Sequence, residues 1–195
     1  MRKTSIRVVH GFAVTSGVFL PLMSLIRNAA IDPTLFRYPS VGLGLREIVD
    51  RFTLNLLEDR PDGIIAHSLG CVVTWLAVHN ANWQGPIVLL APPLASLPAT
   101  RLIPSFLRCP FAPLLDHRAL MSDSNFELPK LDGCRIKTIS GRFDLSVPLY
   151  CTHHANVEQS SVMLHTHNSM LFSASVAQSC TNWITNRLND GIRRF

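Results

Sequence analysis

Short apolar runs alternate with helix-period stripes along this chain, and that alternation limits its possible folds more than any other feature. "SIRVVH" (5–10) is a β-branched run that stops at His10-Gly11. An apolar segment from Val18 to Ala30 follows and reads as a helix. Its Pro21 falls in the first turn, where a missing N–H has no helical partner to lose. "TLFRYP" (34–39) reads as a second strand stopped by Pro39. Leu45, Ile48, Val49, Phe52 and Leu56 then recur at helical spacing and mark one buried stripe. Asp62-Gly63 turns the chain into a third strand, "IIA" (64–66), followed by a helix from Leu69 to Asn80. "PIVLLA" (86–91), "RIKTIS" (135–140) and "SVMLH" (161–165) are further strands. Val176, Cys180, Trp183, Ile184 and Leu188 give a closing amphipathic helix. Strands separated by helices cannot pair as hairpins. They form βαβ crossovers, so the sequence predicts an α/β fold whose parallel sheet is covered on both faces.

At 195 residues, with 47% apolar and 16% charged residues, the chain can bury one large core, and a single domain over 1–195 is expected. No apolar stretch reaches the ~18 residues that span a bilayer, so stable membrane insertion is not expected. "MRK" before an apolar segment has the outline of a signal peptide. Arg7 and His10 interrupt it and no small-x-small cleavage site follows, so the segment reads as a buried strand and its loop. The net charge is +5, but the basic residues are scattered apart from the terminal "GIRRF", without aromatic interleaving. That pattern fits a solvated surface and not a nucleic-acid partner. The five cysteines are widely spaced and include no C-x-x-C, which implies free thiols, a reducing compartment and a cytoplasmic location. No H-E-x-x-H or similar spacing occurs, so neither a metal nor a cofactor is expected.

In a parallel α/β sheet, functional residues collect where strands end at their carboxyl edge. "AHSLG" (66–70) places Ser68 at such a point, between a strand and a helix. A sharp turn there would lift the hydroxyl clear of the sheet and crowd the residues two before and two after, which are the small Ala66 and Gly70. This is the pattern of a nucleophile elbow, G-x-S-x-G, with its first glycine replaced. A plain serine N-cap on the following helix also fits these residues.

A serine hydroxyl needs a base to take its proton, and the base needs an orienting group. Asp144 lies in "GRFDLSVP" (141–148), just past the strand 135–140, where it could orient a histidine or simply cap a turn. His165 and His167 both follow the strand 161–165. His167 is favoured, because it falls in the loop while His165 still reads as strand. An oxyanion would need two N–H donors. One is the backbone of Leu69. The other is that of Phe12, after the tight turn that Gly11 permits. His10 reads as a residue that organises this loop.

Together "VVHGF" (8–12), "YPS" (38–40), "AHSLG" (66–70), "GRFDLSVP" (141–148) and "HNSML" (167–171) resemble the α/β-hydrolase family, in particular its small lipase- and esterase-like members. The motifs stand in the family's order and span the chain. The resemblance implies Ser68 as nucleophile, Asp144 as orienting acid, His167 as general base, and Phe12 and Leu69 as the oxyanion hole. It also implies a three-layer fold. The usual eight-stranded sheet would here lack its first two strands, leaving six parallel strands in the order 2-1-3-4-5-6. Ala66 and Cys71 depart from the family's glycines, away from the proposed chemistry.

The stretch 92–133 is too long for a simple crossover. Leu94, Leu97, Leu102, Ile103, Phe106, Leu107, Phe111, Leu114 and Leu115 run through it among six prolines between 92 and 113. Short helices over the carboxyl edge would make it a small lid with an apolar surface; packing onto the core as ordinary helices is the other reading. The expected function is a serine hydrolase acting on a small-molecule ester with an apolar or lipid-like acyl group. A thioesterase, amidase or acyltransferase would use the same residues, and a hydrolase-like binding protein would use none of them.

Overall fold

The first strand settles the architecture. In the computed structural model, which describes residues 2–13, 16–104 and 108–192, β1 (Thr4–Val9) pairs in parallel with β2 (Ile31–Phe36) on one side and with β3 (Gly63–His67) on the other. β4 (Gly85–Leu90), β5 (Cys134–Gly141) and β6 (Gln159–Met163) then extend the sheet in chain order. The result is six parallel strands in the order β2-β1-β3-β4-β5-β6. The winding direction reverses at β1. The chain leaving β1 and the chain leaving β3 therefore diverge, and a crevice opens at their carboxyl ends.

Side chains along the inner strands alternate between two apolar layers, as the two-residue strand period requires. Ile6, Val8, Ile65, Val88 and Leu90 face α1 (Leu20–Ile26) and α5 (Ala174–Ile192). Val9, Ile64, Ala66, Ile87 and Leu89 face α2 (Leu45–Asp59) and α3 (Leu69–Ala81). α2 buries the stripe its spacing predicts, Leu45, Ile48, Val49, Phe52 and Leu56. α3 differs, because nearly every residue from Leu69 to Val78 is buried, the mark of a helix enclosed on all sides. Among the described residues no helix is long and apolar enough to cross a membrane.

Several boundaries differ from the sequence reading, three of them for clear physical reasons. β2 begins at Ile31, before the expected 34, and runs through Pro33. It is an edge strand, where a proline without an N–H costs no ladder bond on the outer side. α1 ends at Ile26, well short of Ala30, because the Asn28 side chain accepts from the N–H groups of Ala30 and Ile31 at 2.8 and 3.0 Å and turns the chain into β2. β6 ends at Met163, so His165 lies in the following loop and not in the strand.

Within 92–133 the chain forms a short 3-10 turn, Pro98–Leu102, and α4 (Arg108–Ser122). Phe106 and Leu107 lie outside the described residues, as does 193–195 of "GIRRF". Leu97 packs with Val147 and Cys151 of the loop after β5. His117 hydrogen-bonds the Pro93 carbonyl at 2.9 Å, the Arg118 guanidinium donates to the Thr100 carbonyl at 2.9 Å, and Asp116 accepts from the Leu45 N–H at 3.0 Å. Phe111 meets Phe12, with ring centroids 5.6 Å apart, so α4 begins beside the loop that follows β1.

Candidate active site

β3 ends at His67 and α3 starts at Leu69, which leaves Ser68 alone to reverse the chain. Ser68 takes φ 54° and ψ −129°, a conformation that costs a non-glycine residue about 1–3 kcal/mol. Packing around the turn holds it there. A Cβ on Gly70 would strike the His10 carbonyl, and one on Gly11 would lie 2.8 Å from the Ser68 Cβ. Both glycines are therefore demanded by close approach of the β1 loop to the elbow, and Ala66 is fully buried beneath it. Ser68 sits at the N-cap position of α3 yet makes no side-chain capping bond. Its hydroxyl is instead 2.9 Å from His167 Nε2.

His167 Nδ1 is 2.7 Å from Asp144 Oδ2. With Nδ1–H donating to the carboxylate, Nε2 carries the lone pair that faces the serine. Asp144 does both things the sequence left open. Its Oδ1 accepts from the backbone N–H groups of Ser146 and Val147, each at 2.9 Å, and so closes the turn, while Oδ2 is kept for the histidine. Burial acts most strongly on this carboxyl and favours its neutral form. The His167 hydrogen bond, the two turn N–H groups and the His167 charge together outweigh burial, and the pKa is lowered. Asp144 is thus an anion well below neutral pH.

The loop after β1 is organised by His10, as expected. Its Nδ1–H donates to the Gly11 carbonyl at 2.9 Å and its Nε2 accepts from the Tyr38 N–H at 3.4 Å. The Tyr38 ring stacks on it at 4.0 Å between centroids, and the Tyr38 hydroxyl donates to the His10 carbonyl. "YPS" is therefore the brace for the Gly11–Phe12 turn. Leu69, as the first residue of α3, has an N–H with no acceptor four residues back in the helix. Gly11 lies against Ser68, which brings Phe12 to the same neighbourhood.

Ser68, Asp144 and His167 therefore meet in space, and Phe12 and Leu69 flank them. His165 is not among them: its Nδ1 faces Ser169 Oγ at 3.3 Å, and its carbonyl accepts from the Phe143 N–H at 3.0 Å. His67, the middle residue of "AHS", escaped the sequence reading. Its ring is wholly buried, with Nε2 2.9 Å from the His167 carbonyl oxygen. The available signal was its position, since a histidine at the end of a fully buried strand must find a partner.

No family model matches the sequence, and no curated protein matches it. Solved structures do resemble it. The RedJ thioesterase from the prodiginine pathway of Streptomyces coelicolor has a TM-score of 0.62 at 12% identity, covering 91% of this chain and 87% of that one. The metagenomic carboxyl esterase MGS0156 has a TM-score of 0.68 at 11% identity, covering 96% and 75%. SOBER1 of Arabidopsis thaliana has a TM-score of 0.61 at 14% identity, covering 96% and 100%. Likeness at these identities is likeness of fold, and it agrees with the observed strand order. This chain has the α/β-hydrolase fold.

Proposed function

We propose that this protein is a serine hydrolase that cleaves carboxylic esters of apolar acids through an acyl-enzyme. The observation that carries this reading is the continuous hydrogen-bonded series from the Asp144 carboxylate through the His167 imidazole to the Ser68 hydroxyl. Ser68 Oγ attacks the ester carbonyl carbon while its proton passes to His167 Nε2. Asp144 keeps the imidazole in the required tautomer and offsets the charge it gains. The carbonyl oxygen becomes an oxyanion, held by the N–H groups of Phe12 and Leu69. Each such donor is worth ~10²–10³ in turnover. The intermediate collapses, the leaving alkoxide takes the proton from His167, and an alcohol departs. Water then gives its proton to His167 and attacks the acyl-enzyme, which frees the acid and restores Ser68. The cycle needs neither metal nor cofactor.

The apolar acyl preference rests on the rim. Phe143, Leu145, Leu164 and Phe172 are exposed on the two loops that carry Asp144 and His167. Leu97 packs against the first of these loops, and in this reading the described part of 92–133 extends the apolar surface as a small lid within the one domain. Five free cysteines keep the cytoplasm as the compartment of this reading. A thioesterase would use the same steps with a thiol leaving group. A binding protein without chemistry gives no reason for the strained backbone of Ser68.

A fluorophosphonate probe tests the mechanism. It should label the wild type and leave Ser68→Ala unlabelled; a folded wild type that takes no label overturns the reading. Hydrolysis of p-nitrophenyl esters from acetate to dodecanoate tests the substrate. Rates should peak beyond acetate, and an acetate-only profile removes the apolar acyl group from the proposal. Acyl thioesters run in parallel separate thioesterase from esterase.

A further inference from the structure

We propose that His67 is a positioning residue, whose ring N–H and the neighbouring Ser68 hydroxyl grip His167 at its two ends. The inference rests on the serine-hydrolase reading above and adds to it a residue that touches neither substrate nor the reacting atoms. His67 Nε2 is 2.9 Å from the His167 carbonyl oxygen, and Ser68 Oγ is 2.9 Å from His167 Nε2. The two rings lie 4.7 Å apart. Adjacent residues of one strained turn thus fix both the peptide of the histidine and its imidazole. The separation of nucleophile and base is then set by a single peptide unit rather than by the loop after β6.

That loop needs such an anchor. Its other backbone bonds stop short of the His167 peptide: the His165 N–H to the Met163 carbonyl at 2.8 Å, the Thr166 N–H to Ser169 Oγ at 2.9 Å, and, from the loop after β5, the Phe143 N–H to the His165 carbonyl at 3.0 Å, while Asp144 of that same loop holds only the imidazole. Among the described residues, the His67 ring supplies the donor to the His167 carbonyl. A carbonyl oxygen only accepts, so the proton must sit on His67 Nε2. His67 Nδ1 is buried without a hydrogen-bond partner among the described residues. A side chain present for packing alone would do better as an apolar group.

The groups facing this ring keep it a neutral donor. Burial, first, and then the His167 charge push its pKa down to about 3, against the opposing His167 carbonyl bond and Asp144 carboxylate. Phe19, edge-on at 5.8 Å, closes another side and brings no charge. His67 therefore stays uncharged when His167 takes the serine proton, and its bond to the His167 peptide persists through the cycle.

The test compares His67→Met, which fills the space without a donor, with His67→Gln, which keeps an N–H within reach. Steady-state kinetics on a p-nitrophenyl ester and urea unfolding are measured on both. Met should lower kcat about 10–100-fold, with KM within about twofold and the urea midpoint undiminished. Gln should recover most of the lost kcat. Full kcat in the Met variant, or an equal loss in a folded Gln variant, overturns the proposal. Nitrogen-15 imidazole spectra of the wild type from pH 5 to 8 give a readout that needs no variant to fold. His67 should remain neutral with the proton on Nε2, and an Nδ1–H tautomer or a charged ring overturns the proposal. Should the wild type cleave no ester, the hydrolase reading falls, and these spectra still decide whether His67 holds the His167 peptide.

Discussion

The elbow around Ser68 and the segment 92–133 both start from the carboxyl edge of the sheet and are held differently. The elbow is held by exclusion of space. Gly11 and Gly70 have no room for a methyl, Ala66 is buried, and α3 beneath is enclosed on every side. The segment joins the main core near its two ends, through Leu94, Leu128 and Leu131. Between them Leu114, Leu120 and Met121 are only partly buried against that core, and the rest is single polar bonds, through Asp116, His117 and Arg118, and the small cluster of Leu97 with Val147 and Cys151. Close packing resists displacement in every direction, whereas a few polar bonds can be exchanged one at a time. In the proposed hydrolase, the contrast would separate a centre fixed for proton transfer from a rim open to acyl groups of different length.

Gly70→Ala attacks the elbow where the contrast is sharpest and should have the largest effect on stability. The added methyl meets backbone, the carbonyls of His10 and Val9, which cannot swing away as a side chain tip could. Overpacking of this kind costs about 1–3 kcal/mol. The urea midpoint should fall accordingly, and labelling of Ser68 should fall with it as the β1 loop moves off the elbow. An unchanged midpoint would mean that the turn is not packed as tightly as its geometry implies.

Acid offers a second way to weigh the two regions, because each buries a histidine. His67 is pushed down to about 3 by burial and then by the His167 charge, and His117, under the segment, is lowered by burial. Both have folded pKa values below the unfolded 6.5. As pH falls below 6.5 the unfolded chain takes protons that the folded chain refuses. Stability is therefore complete above 6.5 and declines with falling pH, for His67 down to about 3. Each such group contributes a slope of up to about 1.4 kcal/mol per pH unit. Urea midpoints from pH 7.5 to 4.5 measure it. His67→Met should remove the larger share, and a slope that ignores this substitution would shift the acid sensitivity to the other buried histidines.

The same contrast decides what could be read from the sequence. Where burial is one-sided and periodic, as in α2, the elements and their core faces are legible, and the order of motifs brings Ser68, Asp144 and His167 to one edge. Apolarity misleads at the rim. Leu164 extends the apparent strand past Met163 because it looks like core, and it is 74% exposed. Pro33 looks like a breaker, and only the place of β2 at the sheet edge makes it harmless. His67 is the x of a motif until the fold lays the His167 peptide against it, a contact across a hundred positions that no local pattern encodes.

The segment itself should yield the smallest effect on stability. Leu102 closes the 3-10 turn and is 84% exposed, so Leu102→Ser gives up little buried area. Exposed substitutions of this kind stay within about 0.5 kcal/mol. If the segment forms the wall for the acyl chain, the same variant should lose rate on the longest p-nitrophenyl esters and keep it on the acetate, where no chain reaches the wall. Equal rates at every length would confine the acyl surface to the Phe143, Leu145, Leu164 and Phe172 rim. A fall in stability of several kcal/mol would instead place 92–133 with the rigid core, and the division between a fixed centre and an adaptable rim would dissolve.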